Sequence, residues 1–411
     1  MNKLRHLSLT LPLVLAAGAC GLNGTDSKTD ESGATQASTS PAAASANAYA
    51  ADPMSSHDPV GNAPLDPAAA DDKPRPMMQA QVVLDRLGFA PGVVDGKDGM
   101  STRNAITGFQ KANHMAVTGK LDDATRQALS QWSNITATRV VTIPAEFAAG
   151  PFLPIPEEAA DKAKLPALGY TSLDEKLAER FHTTVAVLKE LNPNGVPAGM
   201  ASETGASPTP PPPSATPVPL AASSDSPAPT TSFFRAGQQI RVPNVGGDTI
   251  DPTQVDDKSW LGTLAMLGVG TQQPKADKIV VDKSAGTLQA FDSQGKLIAQ
   301  FTATMGSSHD PLPLGDWKIL GVSKNPPFHY NPNLFWDAKS TDKKELLPPG
   351  PNGPVGVVWI DLSKEHYGIH GTPNPETIGR AESHGCVRLT NWDAARLAQM
   401  VSGSTKVSFV A

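Results

Sequence analysis

Cysteine is nearly absent from this chain, with two in 411 residues. Cys20 stands near the N-terminus, so Cys386 is the only cysteine of the part expected to fold and has no disulfide partner there. Aromatic residues are also scarce, at 5%, whereas 39 residues are proline. This composition is too loose for one continuous core, and the length predicts two or three domains joined by linkers. The net charge of −6 comes without a basic patch, so no nucleic-acid partner is expected.

Long apolar runs are absent except at residues 7–17. That run has about eleven residues, whereas a helix that spans a membrane needs about 20. Lys3 and Arg5 precede it and small residues follow it, which is the pattern of a signal peptide at residues 1–19. We therefore expect an exported protein.

Cys20 directly follows the small residues Ala17, Gly18 and Ala19. This arrangement resembles a lipoprotein processing box, which implies cleavage before Cys20 and acylation of its thiol. Ala17 stands where the box usually has leucine, so cleavage by ordinary signal peptidase is the alternative. Gly21 follows the cysteine in place of the aspartate associated with inner-membrane retention. An acylated protein would then be anchored in the outer membrane of the cell envelope and face the periplasm.

Residues 20–75 consist mainly of Ala, Ser, Asp, Thr and Pro, with almost no large apolar side chain. A segment of this composition cannot bury enough apolar surface to fold, so it is predicted to be a disordered tether. Its relaxed span would be roughly 40 Å and its stretched span about 190 Å. The folded domains are therefore expected to reach well away from the anchor.

The first folded unit is predicted at residues 77–130. Residues 81–87 follow a helical pattern, Ser101 or Thr102 is a candidate cap for a second helix, and Asp122 is a good N-cap for a third. Glycine turns separate the three helices. The strings DGKDGMSTRNAITGFQ and VTGKLDDATRQAL resemble the peptidoglycan-binding domain, a three-helix unit, and a generic small helical bundle is the alternative.

A second module is predicted at residues 168–243. Residues 168–193 contain two short amphipathic helices, and residues 234–243 predict a turn and a strand. Together they resemble a LysM domain, whose order is strand, two helices, strand. The first strand is poorly marked, and a proline-rich insert at 197–232, expected to be disordered, interrupts the module. Glycan binding by this copy and a degenerate spacer therefore both stay open.

From residue 276 onward, short apolar or alternating segments predict strands. The predicted strands include residues 278–282, 287–291 and 297–305. Residues 325–353 form an insertion rich in aromatic residues and proline, with Tyr330 and Trp336 among them. The insertion either covers a binding cleft or is an ordinary surface loop.

The stretch IHGTPNPETIGRAESHGCVR at residues 369–388 brings His370 close in sequence to the thiol of Cys386. A free thiol with a pKa of about 8.5 is mostly protonated at neutral pH, and a neighbouring imidazole can lower that pKa. Alternation over residues 367–372 predicts a strand with His370 at its end, as the base for a nucleophilic Cys386. Gly385 allows a sharp turn, so that its N–H and that of Cys386 can point at an oxyanion.

Two other interpretations of this cysteine are open. His366 and His370 have the i, i+4 spacing of a helical zinc pair, although the glutamate of that pattern is missing and Gly368 disfavours a helix. A buried, inert cysteine is the second. No metal site is expected.

The same stretch closely resembles the catalytic motif of the L,D-transpeptidase (YkuD) family, in which a His-Gly pair precedes a Ser/Thr-His-Gly-Cys turn. The resemblance implies that Cys386 is the nucleophile and that His370 is the proton donor and acceptor. It also implies that the backbone carbonyl of Gly371 orients the imidazole. Ser383 and His384 match the motif and are expected to shape its loop. Candidate residues for substrate binding are Arg388, which can fork onto a carboxylate, and the aromatic Tyr330 and Trp336.

The resemblance covers residues 276–411 and implies a mostly β sandwich-like catalytic domain. The predicted fold class is therefore a multidomain α+β protein, in which that domain follows a three-helix peptidoglycan-binding domain and a LysM-like α/β module, with long disordered linkers. The expected activity is that of a peptidoglycan L,D-transpeptidase. Such an enzyme acylates its cysteine with a donor tetrapeptide stem and passes the acyl group to an amine, which cross-links third residues of stems.

The acceptor in this reaction stays open. Water would make the same site an L,D-carboxypeptidase, and a lipoprotein lysine would attach that protein to the wall. A non-catalytic wall-binding protein is the competing class, although it would need a lost Cys, His or Gly. The expected partners are peptidoglycan, through its stem peptides and glycan, the membrane through the lipid anchor, and as further candidates other cell-wall enzymes. No cofactor is expected.

Overall fold

The computed structural model of the protein describes residue 71 and residues 73–200, 231–246 and 250–411. The predicted signal peptide at 1–19, Cys20 and nearly all of the predicted tether lie outside this part of the chain, as does most of the insert at 197–232. Within the described ranges, no helix combines the length and the apolar character needed to cross a membrane.

The described body begins before the predicted end of the tether at residue 75. The Asp71 carboxylate accepts hydrogen bonds from Arg75 Nε at 2.9 Å and from Thr138 Oγ1 at 2.7 Å. Asp71 is therefore tied to the folded units, and the predicted boundary at residue 75 lies too far along the chain.

Within residues 73–130, three helices form the first unit, as predicted. They are α1 (Pro76–Arg86), α2 (Met100–Ala112) and α3 (Asp123–Leu129). Asp122 caps α3, because its side chain accepts a hydrogen bond from Thr125 N at 2.9 Å. The predicted cap at Ser101 or Thr102 is wrong, since α2 begins before both residues with Gly99 as its N-cap.

Two buried glutamines organise the turns of this unit. Gln81 Oε1 accepts hydrogen bonds from the backbone N–H groups of Asp95 and Gly96, at 3.1 and 2.7 Å. Gln110 Oε1 likewise accepts hydrogen bonds from the backbone N–H groups of Thr118 and Gly119, both at 2.9 Å. Each side chain satisfies the backbone of a glycine turn from inside the core, which explains why a glutamine and a glycine turn recur together in the sequence.

The second unit packs a two-stranded antiparallel sheet against helices. Its elements in chain order are β1 (Thr138–Thr142), α4 (Ala145–Ala148), α5 (Ala159–Lys162), α6 (Leu173–Arg180), α7 (Val185–Leu191) and β2 (Gln239–Pro243). Strands β1 and β2 pair with Val140 opposite Arg241. The strand that completes the unit lies upstream of residue 168, so the unit extends towards the N-terminus beyond the predicted range 168–243.

The C-terminal unit contains a nine-stranded mixed sheet. Its strands in chain order are β3 (Lys278–Asp282), β4 (Thr287–Phe291), β5 (Leu297–Thr302), β6 (Thr304–Met305), β7 (Gly315–Lys324), β10 (Val358–Leu362), β11 (Gly368–His370), β12 (Val387–Arg388) and β13 (Lys406–Val410). A separate hairpin consists of β8 (Phe328–Tyr330) and β9 (Glu345–Leu347). The order across the large sheet is β5-β4-β3-β13-β7-β10-β11-β12-β6.

Strand β7 joins the two halves of this sheet. Its first residues pair with β13 and its later residues pair with β10. Residues from both halves share one hydrophobic core with helices α8 (Lys258–Leu267) and α9 (Asn391–Met400). The predicted β-rich domain is therefore confirmed, with β7 joining its two halves around that core, and its sandwich-like arrangement stays a prediction.

A buried ionic cluster joins the three units. It contains Asp85 of α1, His182 after α6, and Arg396 of α9. Asp85 Oδ2 lies 3.2 Å from His182 Nδ1 and 3.1 Å from Arg396 Nη2. The His182 ring stacks on Trp392 of α9 with the centroids 4.8 Å apart, and its Nε2 lies 3.0 Å from the carbonyl oxygen of Leu267. Each unit supplies one member, so the cluster is complete only when all three units are in place.

The first unit also covers one edge of the large sheet. Ala90 N donates a hydrogen bond to the Gln300 carbonyl at 2.9 Å, and Gln300 N donates to the Gly88 carbonyl at 3.0 Å. Because Gln300 lies on the outermost strand β5, this pairing protects an edge that would otherwise be open. Residues 131–167, which belong to none of the predicted domains, carry β1, α4 and α5.

Asp85→Ala is expected to lower the free energy of unfolding by about 3–5 kcal/mol, because the substitution removes a carboxylate from the buried Arg396 guanidinium. Denaturant unfolding followed by circular dichroism and tryptophan fluorescence measures the change. Both signals should shift together, since the cluster couples the three units. Asp123→Ala is the control, because it removes only an exposed ion pair with Arg126. Equal midpoints for the two variants would contradict a coupling role for the cluster.

Candidate active site

His370 and Cys386 meet at neighbouring strands of the large sheet. Strands β11 and β12 run parallel, with His370 opposite Arg388, and Cys386 comes directly before β12. The predicted strand that ends at His370 is confirmed. Both side chains line a cleft of about 1370 Å³. The chain thus brings the predicted base and the predicted nucleophile to one cavity.

The imidazole of His370 is oriented by its own backbone neighbour. Its Nδ1 lies 2.7 Å from the carbonyl oxygen of Gly371, and a hydrogen bond there places the ring proton on Nδ1 and leaves Nε2 free to accept. The ring is buried and stacks against Trp359 with centroids 5.6 Å apart. Burial lowers the pKa of His370 to about 4, although the hydrogen bond to the Gly371 carbonyl acts to raise it. The ring is therefore neutral at neutral pH.

The surroundings of Cys386 favour the neutral thiol over the thiolate. Burial raises the pKa of Cys386 to about 11, although the positive charge of Arg388 works in the other direction. The Cys386 Sγ donates a hydrogen bond to the carbonyl oxygen of His366 at 3.7 Å. In the described part of the chain, no hydrogen bond joins it to His370. The expectation that the imidazole lowers the thiol pKa is therefore wrong for this resting state, because the cost of burying a thiolate dominates.

Gly385 occupies a position that requires glycine. Its φ of 93° lies in the left-handed region, and a Cβ there would overlap the ring of Tyr367. The backbone can therefore turn sharply just before the thiol. The role of the Gly385 N–H in holding an oxyanion stays a prediction.

Ser383 braces the loop from inside. Its Oγ accepts a hydrogen bond from Gly306 N at 2.6 Å and donates one to the Cys386 carbonyl at 2.7 Å. The side chain is buried, so both contacts are shielded from water. This geometry agrees with the loop-shaping role expected for Ser383.

His384 connects the same loop to the insertion at residues 325–353. Its Nε2 lies 2.9 Å from Asp337 Oδ1, and its ring lies 5.1 Å from that of Phe335 and 5.9 Å from that of Trp336. The sequence alone does not indicate Asp337, because nothing local marks a carboxylate that pairs across 47 residues. His384 thus holds the insertion beside the cleft.

The three candidate substrate-binding residues differ in position. Arg388 and Tyr330 line the cleft. Arg388 donates to the Glu382 carbonyl, and the Tyr330 hydroxyl donates to Asp342 Oδ2 at 2.7 Å. Trp336 is 58% exposed and stacks on His309, outside the lining of the cleft.

The cleft also has walls that no sequence pattern indicates. Glu157, Glu158 and Lys162, in and beside α5 of the second unit, line it. Glu158 forms an ion pair with Lys339 of the insertion, with Oε1 and Nζ 2.5 Å apart. The insertion is therefore part of the cleft wall, and the second unit contributes to the same wall.

The alternative of a helical zinc pair does not fit the backbone. His370 lies on a strand, and His366 has a φ of 65°, which no α-helix contains. The two imidazoles therefore do not share the face of a helix.

Comparisons with known proteins agree with this geometry. Residues 276–408 match the family model of the L,D-transpeptidase catalytic domain (YkuD), and residues 75–129 match that of the putative peptidoglycan-binding domain. The putative L,D-transpeptidase YkuD of Bacillus licheniformis is 55% identical over 60 residues, which are 15% of this chain and 36% of that protein. The chain thus covers about a third of the length of that relative and of its Bacillus subtilis counterpart.

Two further similarities extend over a larger share of the matched protein. An L,D-transpeptidase from Mycobacterium smegmatis, a solved structure, aligns with a TM-score of 0.27 at 22% identity, over 33% of this chain and 59% of that one. A putative L,D-transpeptidase of Fuscovulum blasticum is 30% identical over 132 residues, which are 32% of this chain and 68% of the relative. Because this relative is matched over two thirds of its length and the family model matches residues 276–408, the chain belongs to the L,D-transpeptidase (YkuD) family.

Proposed function

We propose that the protein is a peptidoglycan L,D-transpeptidase that cross-links the third residues of stem peptides. The observation that carries the proposal is the pairing of Cys386 with His370 at one cleft, with His370 Nδ1 held by the Gly371 carbonyl at 2.7 Å. Family membership supports the reaction class. The geometry supports the assignment of nucleophile to Cys386 and of base to His370.

The first half of the reaction acylates the thiol. Cys386 Sγ attacks the carbonyl carbon of the third residue of a donor stem while its proton passes to His370 Nε2. The tetrahedral intermediate collapses as the carbon–nitrogen bond breaks, and the leaving D-alanine takes the proton from the imidazolium. Because the free thiol and the free imidazole are both neutral, the proton moves during the attack and not beforehand.

The second half transfers the acyl group. The amine of an acceptor stem attacks the thioester carbonyl and gives a proton to His370 Nε2. When the carbon–sulfur bond breaks, that proton returns to Sγ and the thiol is restored. The Nδ1–H bond to Gly371 stabilises the imidazolium in both halves, in the way that a carboxylate does in a catalytic triad.

The charges of the cleft wall support a stem peptide as acceptor. Both basic and acidic side chains line the cavity, and the basic side chains include Arg388. A third residue such as diaminopimelate carries both an amine and a carboxylate, so it finds a partner of each sign in this cavity. The N–H groups of Gly385 and Cys386 are the proposed oxyanion donors.

The two preceding units are proposed to bind the wall. The three-helix unit matches the peptidoglycan-binding family model. The second unit has antiparallel outer strands β1 and β2 and, between them, the helix pair α6 and α7, as in a LysM domain, with the two short helices α4 and α5 in addition, which supports the LysM assignment. Anchoring through an acylated Cys20 to the outer membrane, facing the periplasm, completes the proposal.

Membrane fractionation of a Cys20→Ser variant tests the proposed anchor, because an unchanged distribution of the protein between membrane and soluble fractions would rule it out.

Cys386→Ala is expected to abolish exchange of tetrapeptide stems, because no other described side chain replaces the thiol. Mass spectrometry of the reaction with soluble muropeptides measures the turnover, and intact mass after mixing with a carbapenem measures acylation. The His384→Ala variant is the comparison, since His384 holds the insertion and should retain acylation. Continued turnover by Cys386→Ala would contradict the thiol mechanism. A hydrolysed tripeptide as the sole wild-type product would identify a carboxypeptidase instead.

The reactivity of Cys386 is expected to rise continuously with pH. A pKa of about 11 predicts that alkylation by iodoacetamide, in a Cys20→Ser background, grows about tenfold per pH unit from neutral to alkaline pH without a plateau. Transpeptidation should be lost in acid as His370 takes up a proton at a pKa of about 4. A rate plateau already present at neutral pH would instead indicate a preformed thiolate–imidazolium pair.

Wall binding is expected to depend on a groove in the first unit. Residues including Arg103, Lys120 and Arg126 line this groove of about 530 Å³. The double variant Lys120→Glu, Arg126→Glu should raise the apparent KM for intact sacculi about fivefold or more and change that for a soluble muropeptide far less. Lys111→Glu, on the exposed side of α2, is the matched control. Equal changes on both substrates would withdraw the assignment of wall binding to the groove.

A further inference from the structure

A buried glutamate of the second unit reaches the catalytic half of the molecule. Glu179 of α6 accepts hydrogen bonds from the Tyr170 hydroxyl and, at 2.7 Å, from the side-chain nitrogen of Asn391, the first residue of α9. Glu179 is 7% exposed and Asn391 is fully buried. The contact therefore crosses from the proposed LysM-like unit into the transpeptidase domain and is shielded from solvent.

The amide of Asn391 is held by three partners. Its Nδ2 donates to Glu179 Oε1 and, at 3.1 Å, to the Pro351 carbonyl, while its Oδ1 accepts from Val357 N at 3.2 Å. A flipped amide would place a donor against the Val357 N–H and an acceptor against the two oxygens. Glu179 supplies the shortest of these bonds, so it contributes most to fixing the orientation of the amide.

The oxygen of this amide lies against the peptide that orients the base. A Cβ at Gly371 would overlap Asn391 Oδ1, and so would a Cβ at Gly356. The backbone of Gly371 therefore rests directly on the Asn391 side chain. The carbonyl of the same residue accepts the hydrogen bond from His370 Nδ1.

The neighbouring backbone ties the two units together at the same place. Leu168 N donates to the Pro349 carbonyl at 2.9 Å, and Asn352 N donates to the Leu168 carbonyl at 2.9 Å. The Asn352 side chain also donates to Glu175 Oε1 of α6 at 2.8 Å. These bonds fix the segment that presents the Pro351 carbonyl, so α6 and the peptide around Asn391 keep a constant separation.

We propose that Glu179 is a positioning residue for His370, acting through the Asn391 amide on the Gly371 carbonyl. The role in catalysis rests on the proposed thiol chemistry. When the Asn391 amide is fixed, the carbonyl stays on His370 Nδ1 and the free nitrogen is Nε2, the one that takes the thiol proton. When the amide is released, the imidazole can carry its proton on Nε2, and that tautomer cannot act as the base. The second unit thus acts on the reaction from a distance as well as on the wall.

Three substitutions at this position separate the role from simple packing. Glu179→Leu keeps the volume and removes the acceptor. Glu179→Asp keeps the carboxyl group but is one methylene too short to reach Asn391. Glu179→Gln keeps an amide oxygen for Asn391 and is the conservative rescue. Glu190→Leu, on the exposed side of α7, is the control within the same unit.

Two readouts are measured on the full chain. The first is the ¹⁵N shift of the His370 ring nitrogens, which reports the tautomer directly and does not depend on any reaction. The second is the rate of acylation by a carbapenem, followed by intact mass. The leucine and aspartate variants should show mixed tautomers and acylate about tenfold more slowly, since small displacements of a positioned group cost rates of this order. The glutamine variant and the control should resemble the wild type.

The outcomes distinguish the positioning role of Glu179 from the proposed function. A wild-type tautomer and rate in a folded Glu179→Leu or Glu179→Asp protein would overturn the positioning role, and so would an equal loss in Glu179→Gln. If the leucine variant melts below the assay temperature, the aspartate variant decides. A wild-type protein that no carbapenem acylates would count against the proposed function, whereas the ¹⁵N shifts would still test the positioning role.

Discussion

The buried cluster of Asp85, His182 and Arg396 is the constraint on which the assembly of the protein depends. Charges out of contact with water must be paired, and here the pairing requires residues from three units that are far apart in sequence. Burial alone would raise the pKa of Asp85, but the attraction of Arg396 and His182 outweighs it and holds that pKa well below its usual range. The carboxylate therefore stays charged, and α1 and α9 stay together with the loop after α6.

Because of this cluster, the three units are not independent domains. Separate modules on a flexible string would let wall binding and bond making proceed independently. In the described body, α5 of the second unit forms part of the cleft wall, the first unit covers the edge of β5, and α6 contacts Asn391 at the start of α9. The units that resemble binding modules are also structural supports of the catalytic half. A deletion of the first unit would consequently disturb the fold as well as the proposed attachment to the wall.

The sequence predicted what depends on local pattern. The strands β3, β4 and β5, the three helices of the first unit and the proximity of His370 to Cys386 follow from alternation, capping residues and a short motif whose two halves lie on adjacent strands. It did not predict what depends on distant contacts. Strand β1 is poorly marked in the sequence, and its partner β2 lies beyond four helices and an insert. The N-cap of α2 was misplaced because Thr102 bonds to Gln81 in the core and does not cap the helix.

Electrostatics could not be predicted from the motif either. The thiol and the imidazole both respond mainly to burial, which depends on how the loop, the insertion and the sheet close around them. The contact between Glu179 and Asn391 joins positions 212 residues apart, and each residue looks ordinary in its own helix. Local sequence therefore identifies the reacting groups, whereas tertiary packing sets their protonation and orientation.

The position of β13 has a consequence for how the protein folds. This strand lies in the middle of the large sheet, with Lys406 opposite Lys278 of β3 on one side and Lys318 of β7 on the other. Until residues 406–410 arrive, β3 and β7 each present an open edge, and the two halves of the sheet have nothing between them. Closure over such long sequence separations is slow, because the entropy of the loop is lost before the contacts form. During folding, the open edges of β3 and β7 are therefore available to pair with other chains, and we expect the incompletely folded protein to be prone to aggregation.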